Sequence, residues 1–200
     1  MKNTFSRTFL SLCRKKGIAA IPLPEPTQIP QEGEPLQSKG MVINMIRKAS
    51  LHDIDKIINI DRQLIKRHCD MDPKTFKMPD EEFYYNSLLK AIESDEKEIF
   101  VFEDETIKGY AMVTESIRDI PIKIRKKVCL IDELAVDENY RNEGIGTELL
   151  NYIKSYVNNK KLDVLEICVR AENENAYKLY ERCGFEPQLI TMEVKLKTED

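Results

Sequence analysis

The sequence predicts an α/β domain with a mixed, mostly antiparallel central sheet flanked by helices. Two observations lead to this class. From Met41 onward, segments of strand character alternate with segments whose apolar residues recur at helical spacing. Three successive strand segments separated by short connections come first, and a strand–helix–strand crossover follows them. Short connections favour antiparallel neighbours and a crossover favours a parallel pair, so both kinds of pairing are expected in one sheet.

The first half of the domain holds a strand, two helices and then three strands. A strand over residues 42–47 precedes a helix over residues 51–68 that begins near Ser50. Pro73 and Pro79 break the chain, and the second helix covers residues 80–92. Strands are expected over residues 99–103, 107–116 and 128–136, the first two joined as a hairpin.

The second half begins with a helix after Gly144. Its apolar residues follow a 3.6-residue period and are Ile145, Leu149, Leu150, Ile153 and Val157. A strand over residues 164–169 comes next, followed by a helix that Gly184 ends. A last strand is expected over residues 189–196.

Composition separates an extension, residues 1–40, from the domain, residues 41–200. The first 21 residues carry basic but no acidic side chains, and residues 22–35 hold five of the nine prolines. Prolines at that density prevent helix and sheet pairing, so we expect a disordered extension. Three origins stay open: a tail, a targeting segment, or an upstream start before Met41 or Met45.

Charge and cysteine usage exclude several classes of function. A net charge of −4 argues against broad nucleic-acid binding, which needs a basic face. No apolar run reaches the length of a membrane span. The five cysteines are scattered without C-x-x-C spacing, and two histidines are too few for a zinc site, so no metal is expected. Reduced thiols indicate a cytoplasmic location.

The most informative segment, residues 134–147, predicts an anion site. A strand passes through a polar turn into a helix, with Gly144 and Gly146 at the helix start after Arg141. Unpaired N–H groups at a helix N-terminus attract phosphate, and glycines let the backbone approach it. A P-loop would need a lysine after Gly146, and a dinucleotide fingerprint would need a small residue at Leu149. A different loop, R-x-x-G-x-G, remains for a pyrophosphate-bearing ligand.

Two motifs together resemble those of the GNAT N-acetyltransferases. Residues 141–146 match the family's [QR]-x-x-G-x-[GA] loop, and residues 173–185 match its N-x-x-A-x-x-L-Y-x-x-x-G-F segment in the same order and separation. The resemblance covers about residues 43–196, with specific motifs only in residues 128–185. It implies the GNAT fold and transfer of acetyl from acetyl-CoA, as co-substrate, to an amine, directly within a ternary complex.

The resemblance also implies the residues of the site. Those expected to bind acetyl-CoA are Leu134, Ala135, Val136, Arg141, Asn142, Glu143, Gly144, Ile145, Gly146, Thr147, Asn173 and Tyr180. Backbone groups of Leu134 and Val136 would pair with the pantetheine arm, which Asn173 would also hold. Tyr180 would protonate the departing thiolate. The backbone N–H near Leu134 would stabilise the oxyanion.

Two adjacent carboxylates, Asp132 and Glu133, are candidates for the general base. Strand alternation sends them to opposite faces, so one is expected to reach the acceptor. Several family members place the base two residues before the L-x-V segment, which favours Asp132. Glu133 stays open because a bulge could reverse the alternation.

The acceptor is expected to be a cationic small amine. Residues 51–95 would form the acceptor side of the cleft, and their acidic members suit a cation. These members are Asp70, Asp72, Asp80, Glu81 and Glu82. Two alternatives stay open: acetylation of a protein N-terminus or lysine, and a non-catalytic acyl-CoA-binding module. GNAT domains commonly dimerise, so a homodimer is a further expectation from the resemblance.

Overall fold

The computed structural model describes residues 45–194. The predicted extension over residues 1–40 lies outside these residues, as do the first residues of the first predicted strand and the last two of the final one. The boundary between extension and domain therefore stays a prediction.

Five strands and four helices form the described part of the chain. The strands are β1 Met45–Lys48, β2 Lys97–Asp104, β3 Thr106–Arg118, β4 Lys126–Val136 and β5 Val164–Ile167. The helices are α1 Ile54–Met71, α2 Glu81–Ile92, α3 Ile145–Asn159 and α4 Glu174–Arg182. Short 3-10 turns, Leu51–Asp53 and Glu138–Tyr140, precede α1 and follow β4.

The sheet has the order β1-β2-β3-β4-β5. The first four strands pair antiparallel with their neighbours, whereas β5 runs parallel to β4 because α3 carries the chain between them. The predicted mixed, mostly antiparallel sheet is confirmed.

Apolar side chains pack on both faces of this sheet. On one face, Ile57 of α1 and Leu88 of α2 pack with Val101 and Tyr110 of the sheet. On the other face, the α3 stripe predicted from its helical period is buried against β3 and β4. Because β3 and β4 are covered on both faces, their central residues are fixed on each side.

The predicted strand over residues 189–196 is wrong for the residues that the structure describes. Residues 189–194 pair with no strand of the described chain, and the side chains of Leu189, Ile190, Met192 and Val194 are largely exposed. Alternating apolar residues permit a strand, but a strand forms only where a neighbour satisfies its backbone groups. The strand after α3 is also shorter than predicted and ends at Ile167.

Within residues 45–194, no helix combines the length and apolar character needed to span a bilayer.

Candidate active site

A cleft opens where β4 and β5 separate. Pairing between them covers residues 128–131 of β4 and stops there, although β4 continues to Val136. One edge of residues 132–136 is therefore left without a partner strand in the described chain. The cleft has a volume of about 830 Å³, and the end of β4, the start of α3 and the start of α4 all line it.

The loop before α3 carries the predicted anion site. Gly144 caps the helix with a φ of 89°, a left-handed conformation that glycine adopts without strain. Asn142 also has a positive φ of 69°, which asparagine tolerates better than most residues. The N–H of Thr147 bonds the Gly144 carbonyl, whereas the N–H groups of residues 142–146 have no backbone acceptor in the described chain. These free donors at a helix N-terminus fit a pyrophosphate.

Gly146 faces the cleft rather than a crowded core. A Cβ added there would lie 3.4 Å from Cδ2 of Leu179 and 3.9 Å from Cγ2 of Val136, which are ordinary contacts. Both neighbours line the cleft. Packing against protein atoms therefore does not require glycine at this position.

Two polar side chains predicted to hold the co-substrate already have protein partners. Nε of Arg141 donates to the Val136 carbonyl at 3.2 Å and ties the loop to β4. Oδ1 of Asn173 accepts from the Ala176 N–H and from Nη2 of Arg67, at 3.3 and 3.4 Å. Asn173 therefore caps the N-terminus of α4, and its contact with Arg67 links the start of α4 to α1.

A β-bulge in β4 changes the relation between the two candidate bases. Met112 of β3 is opposite Glu133, but Val113 is opposite Ile131, which leaves Asp132 as the extra residue. The expected alternation is thereby broken, and both carboxylates line the cleft. The alternation rule predicted opposite faces because it assumes a strand without an inserted residue.

Asp132 is held by neighbouring strands. Nζ of Lys97 on β2 donates to its Oδ2 at 2.8 Å, and the hydroxyl of Thr114 on β3 bonds the same oxygen. The charge of this carboxylate is thus matched by a cation.

Glu133 lies in a more apolar setting. The Tyr110 hydroxyl donates to its Oε2 at 2.7 Å. Burial raises the pKa of Glu133 to about 7. A carboxylate with such a pKa can exchange a proton near neutral pH.

Tyr180 lines the cleft from α4. Its ring packs beside Phe185, with centroids 6.0 Å apart. Burial raises the pKa of Tyr180 to about 12, so its phenol stays protonated at neutral pH and can act as a donor.

Comparison with known proteins gives the family. The model of the acetyltransferase (GNAT) family matches residues 62–185, well over half of the chain. The chain belongs to the GNAT acetyltransferase family. Membership makes it an N-acetyltransferase by enzyme class, and this family uses acetyl-CoA.

Individual relatives agree with the GNAT assignment. An uncharacterized N-acetyltransferase of Methanocaldococcus jannaschii is 35% identical over 66 residues, which are 33% of this chain and span only 29% of that relative's length. An N-alpha-acetyltransferase of Sulfolobus acidocaldarius is 28% identical over 155 residues, covering 74% of this chain and 83% of that protein. The structure of a tetramutant of the BH1408 protein from Bacillus halodurans has a TM-score of 0.73 at 26% identity, covering 76% and 99% of the two chains.

The acceptor side of this GNAT cleft differs from the sequence expectation. Leu64, Arg67 and His68 are the residues that α1 contributes to the lining. None of the five acidic residues expected there lines the cleft, and each has a local role. Asp70 pairs with Lys66, Asp72 with Arg170 and Glu81 with Arg62, Asp80 caps α2, and Glu82 accepts from Asn86.

Two residues around Glu133 were not identified from the sequence. Tyr110 and Asp61 lie 23 and 72 positions before it in the chain and have no motif of their own. Their apolar neighbours mark them as part of buried faces, but a polar residue in such a face gives no sign of its partner.

Proposed function

We propose that this protein transfers the acetyl group of acetyl-CoA to a primary amine, directly within a ternary complex. The observation that carries the proposal is convergence on one cleft. The free N–H groups before α3, the unpaired edge of β4, Glu133 and Tyr180 all belong to it. Acetyl-CoA and an amine bound together in this cleft would lie beside both a base, Glu133, and an acid, Tyr180.

Glu133, the backbone near Leu134 and Tyr180 have separate roles in the proposed reaction. Acetyl-CoA supplies the acetyl group as a thioester. Glu133 accepts the proton that the ammonium group of the acceptor must lose before its nitrogen attacks. A backbone N–H near Leu134 polarises the carbonyl oxygen. Tyr180 donates its phenolic proton to the sulfur as the carbon–sulfur bond breaks.

Glu133 is our choice for the base over Asp132, which the sequence favoured. Oδ2 of Asp132 is already bonded to Lys97, at 2.8 Å, and to the Thr114 hydroxyl, so this oxygen is engaged within the protein. Glu133 has a phenol partner instead, and its pKa of about 7 matches neutral working conditions.

The acceptor that we propose first is the α-amino group of a peptide or protein. The N-alpha-acetyltransferase of Sulfolobus acidocaldarius, similar over most of both chains, supports this choice. The lining that α1 provides is apolar and basic rather than acidic, which does not suit a polycation. A small cationic amine is the second candidate, because Asp132 and Glu133 together could bind one ammonium group.

A thiol-release assay with acetyl-CoA tests the proposal. N-terminal peptides, polyamines, aminoglycosides and amino acids are compared as acceptors, and mass spectrometry locates the acetyl group. Release with peptides but not with peptides blocked at the α-amine supports the first choice. Stabilisation of the fold by CoA with no turnover of any acceptor would contradict an enzyme and favour a non-catalytic binding module.

Cys168 provides the test of direct transfer. Among the described cysteines it is the one that lines the cleft. Transfer through an acyl-thiol intermediate on the enzyme would need such a residue, whereas direct transfer would not. We expect Cys168→Ala to keep the wild-type rate; loss of turnover together with an acetylated Cys168 in the wild type would refute a ternary mechanism.

A further inference from the structure

A second buried carboxylate, Asp61 of α1, lies behind Glu133. Only 5% of this residue is exposed. None of the ion pairs within residues 45–194 includes it, and its Oδ1 has no hydrogen-bond partner there. A buried carboxylate without a cation is costly in its charged form. Burial accordingly raises the pKa of Asp61.

The Tyr110 hydroxyl lies between the two carboxylates. It donates to Oε2 of Glu133 at 2.7 Å, and Asp61 lies near enough to the same hydroxyl for the two groups to act on each other's pKa. A phenol has one proton, so it can donate to only one of them. The other carboxyl group must then donate to the phenol oxygen, which requires that it be protonated. Asp61 is the better candidate, since it is buried in the core while Glu133 faces the cleft.

We propose that Asp61 is a positioning residue for acetyl transfer, protonated in the working enzyme and acting through Tyr110. Its O–H donates to the Tyr110 oxygen, and Tyr110 donates to Oε2 of Glu133. This chain holds one oxygen of Glu133 and leaves Oε1 for the acceptor amine. The inference rests on the proposed role of Glu133 as the base.

The charged and titratable groups around this chain fit that arrangement. Lys97 from β2 and Asp132 from β4 act on Glu133, and Lys97 is already bonded to Asp132. Tyr84 from α2 lies near Asp61, and its buried hydroxyl has no hydrogen-bond partner among the described residues. Arg62, whose guanidinium lies over the Tyr84 ring, pairs with Glu81 instead, and no ion pair among the described residues includes Asp61.

The protonation state can be measured in the free enzyme without any turnover. Carboxyl carbons labelled with carbon-13 are titrated by NMR, and Asp61→Asn and Glu133→Gln assign the two signals. We expect the Asp61 carboxyl to be protonated at about pH 7, far above the ordinary range for aspartate. An Asp61 signal that titrates in the ordinary acidic range would overturn the inference, even if the enzyme proves active. An inactive enzyme would instead count against the proposed function alone.

Kinetics of matched variants test the positioning role. Asp61→Asn is neutral and keeps an N–H donor for Tyr110, so kcat and the acid limb of kcat/KM should stay close to wild type. Asp61→Ala removes the donor, and we expect kcat to fall about 100-fold, the scale of a misplaced catalytic group, with the KM for acetyl-CoA unchanged.

Ile57→Ala, one turn away on the same buried face of α1, is the control for a loss of packing. It should lower Tm without moving the pH profile. The positioning role is overturned if Asp61→Ala lowers only Tm, as the control does. The protonated state is overturned if Asp61→Asn moves the acid limb to lower pH, since that shift would mean a lost negative charge.

Discussion

Replacing Glu133 by glutamine should make the protein more stable above neutral pH while removing most of its activity. The pKa of this side chain is about 7 in the fold, against an ordinary value of 4.5. Since folding raises the pKa, the folded state binds the proton more tightly than the unfolded state does. The difference corresponds to about 3 kcal/mol, as an upper value.

The sign of the stability effect depends on pH. Below about pH 4 Glu133 is protonated in both the folded and the unfolded state, so the difference in pKa does not lower the free energy of unfolding. As pH rises from about 4.5 to 7, the wild type loses stability, because its unfolded state releases the proton first. At about pH 8 the charge must be buried in the fold, and the neutral glutamine avoids that cost. We therefore expect equal Tm values for wild type and Glu133→Gln in acid, and a higher Tm for the variant at about pH 8.

Asp53 provides a control of opposite sign. Arg47 lowers the pKa of Asp53 to about 2, with bonds of 2.8 and 2.9 Å between their side chains. Its contribution to stability is present above the ordinary pKa of aspartate and is lost as pH falls towards about 2. Asp53→Asn should thus lower Tm at neutral pH and have little effect in strong acid.

Activity of Glu133→Gln completes the test. Wild-type kcat/KM should fall about tenfold for each pH unit below about 7, as the base becomes protonated. The variant should lose about 100-fold or more in kcat, and its acid limb should disappear. A variant with an unchanged Tm profile would refute the shifted pKa, and one with a normal rate and acid limb would refute the base.

Three further changes test the rest of the site. Gly146→Glu adds bulk and negative charge beside the free N–H groups and should abolish CoA binding in calorimetry. Gly146→Ala is the control and should fold normally, because its Cβ makes only ordinary contacts. Undiminished CoA affinity in Gly146→Glu would refute the assignment of this loop to CoA binding. Gly144→Ala forces a side chain into a left-handed conformation and should cost about 1 kcal/mol in denaturant unfolding. Tyr180→Phe should lower kcat by about 100-fold with little change in Tm, and a wild-type kcat would exclude the phenol as the acid.

The sequence by itself predicted most of the helices and strands and the position of the loop before α3. Helical spacing located α3, and glycines beside Arg141 indicated the loop, because both signals are local. The same local reasoning failed at residues 189–194, where apolar alternation is present but no partner strand is. Strand formation depends on a neighbour that a local pattern does not specify.

Only the tertiary structure decided the surroundings of the two carboxylates. The bulge at Asp132 depends on how β4 pairs with β3, so alternation along one strand could not reveal it. Asp61, Tyr110 and Glu133 come from three different elements, and Asp61 lies near the other two only because α1 packs on the sheet. The sequence therefore determined which chemical groups are available, whereas folding set their neighbours and, through burial, their affinity for protons.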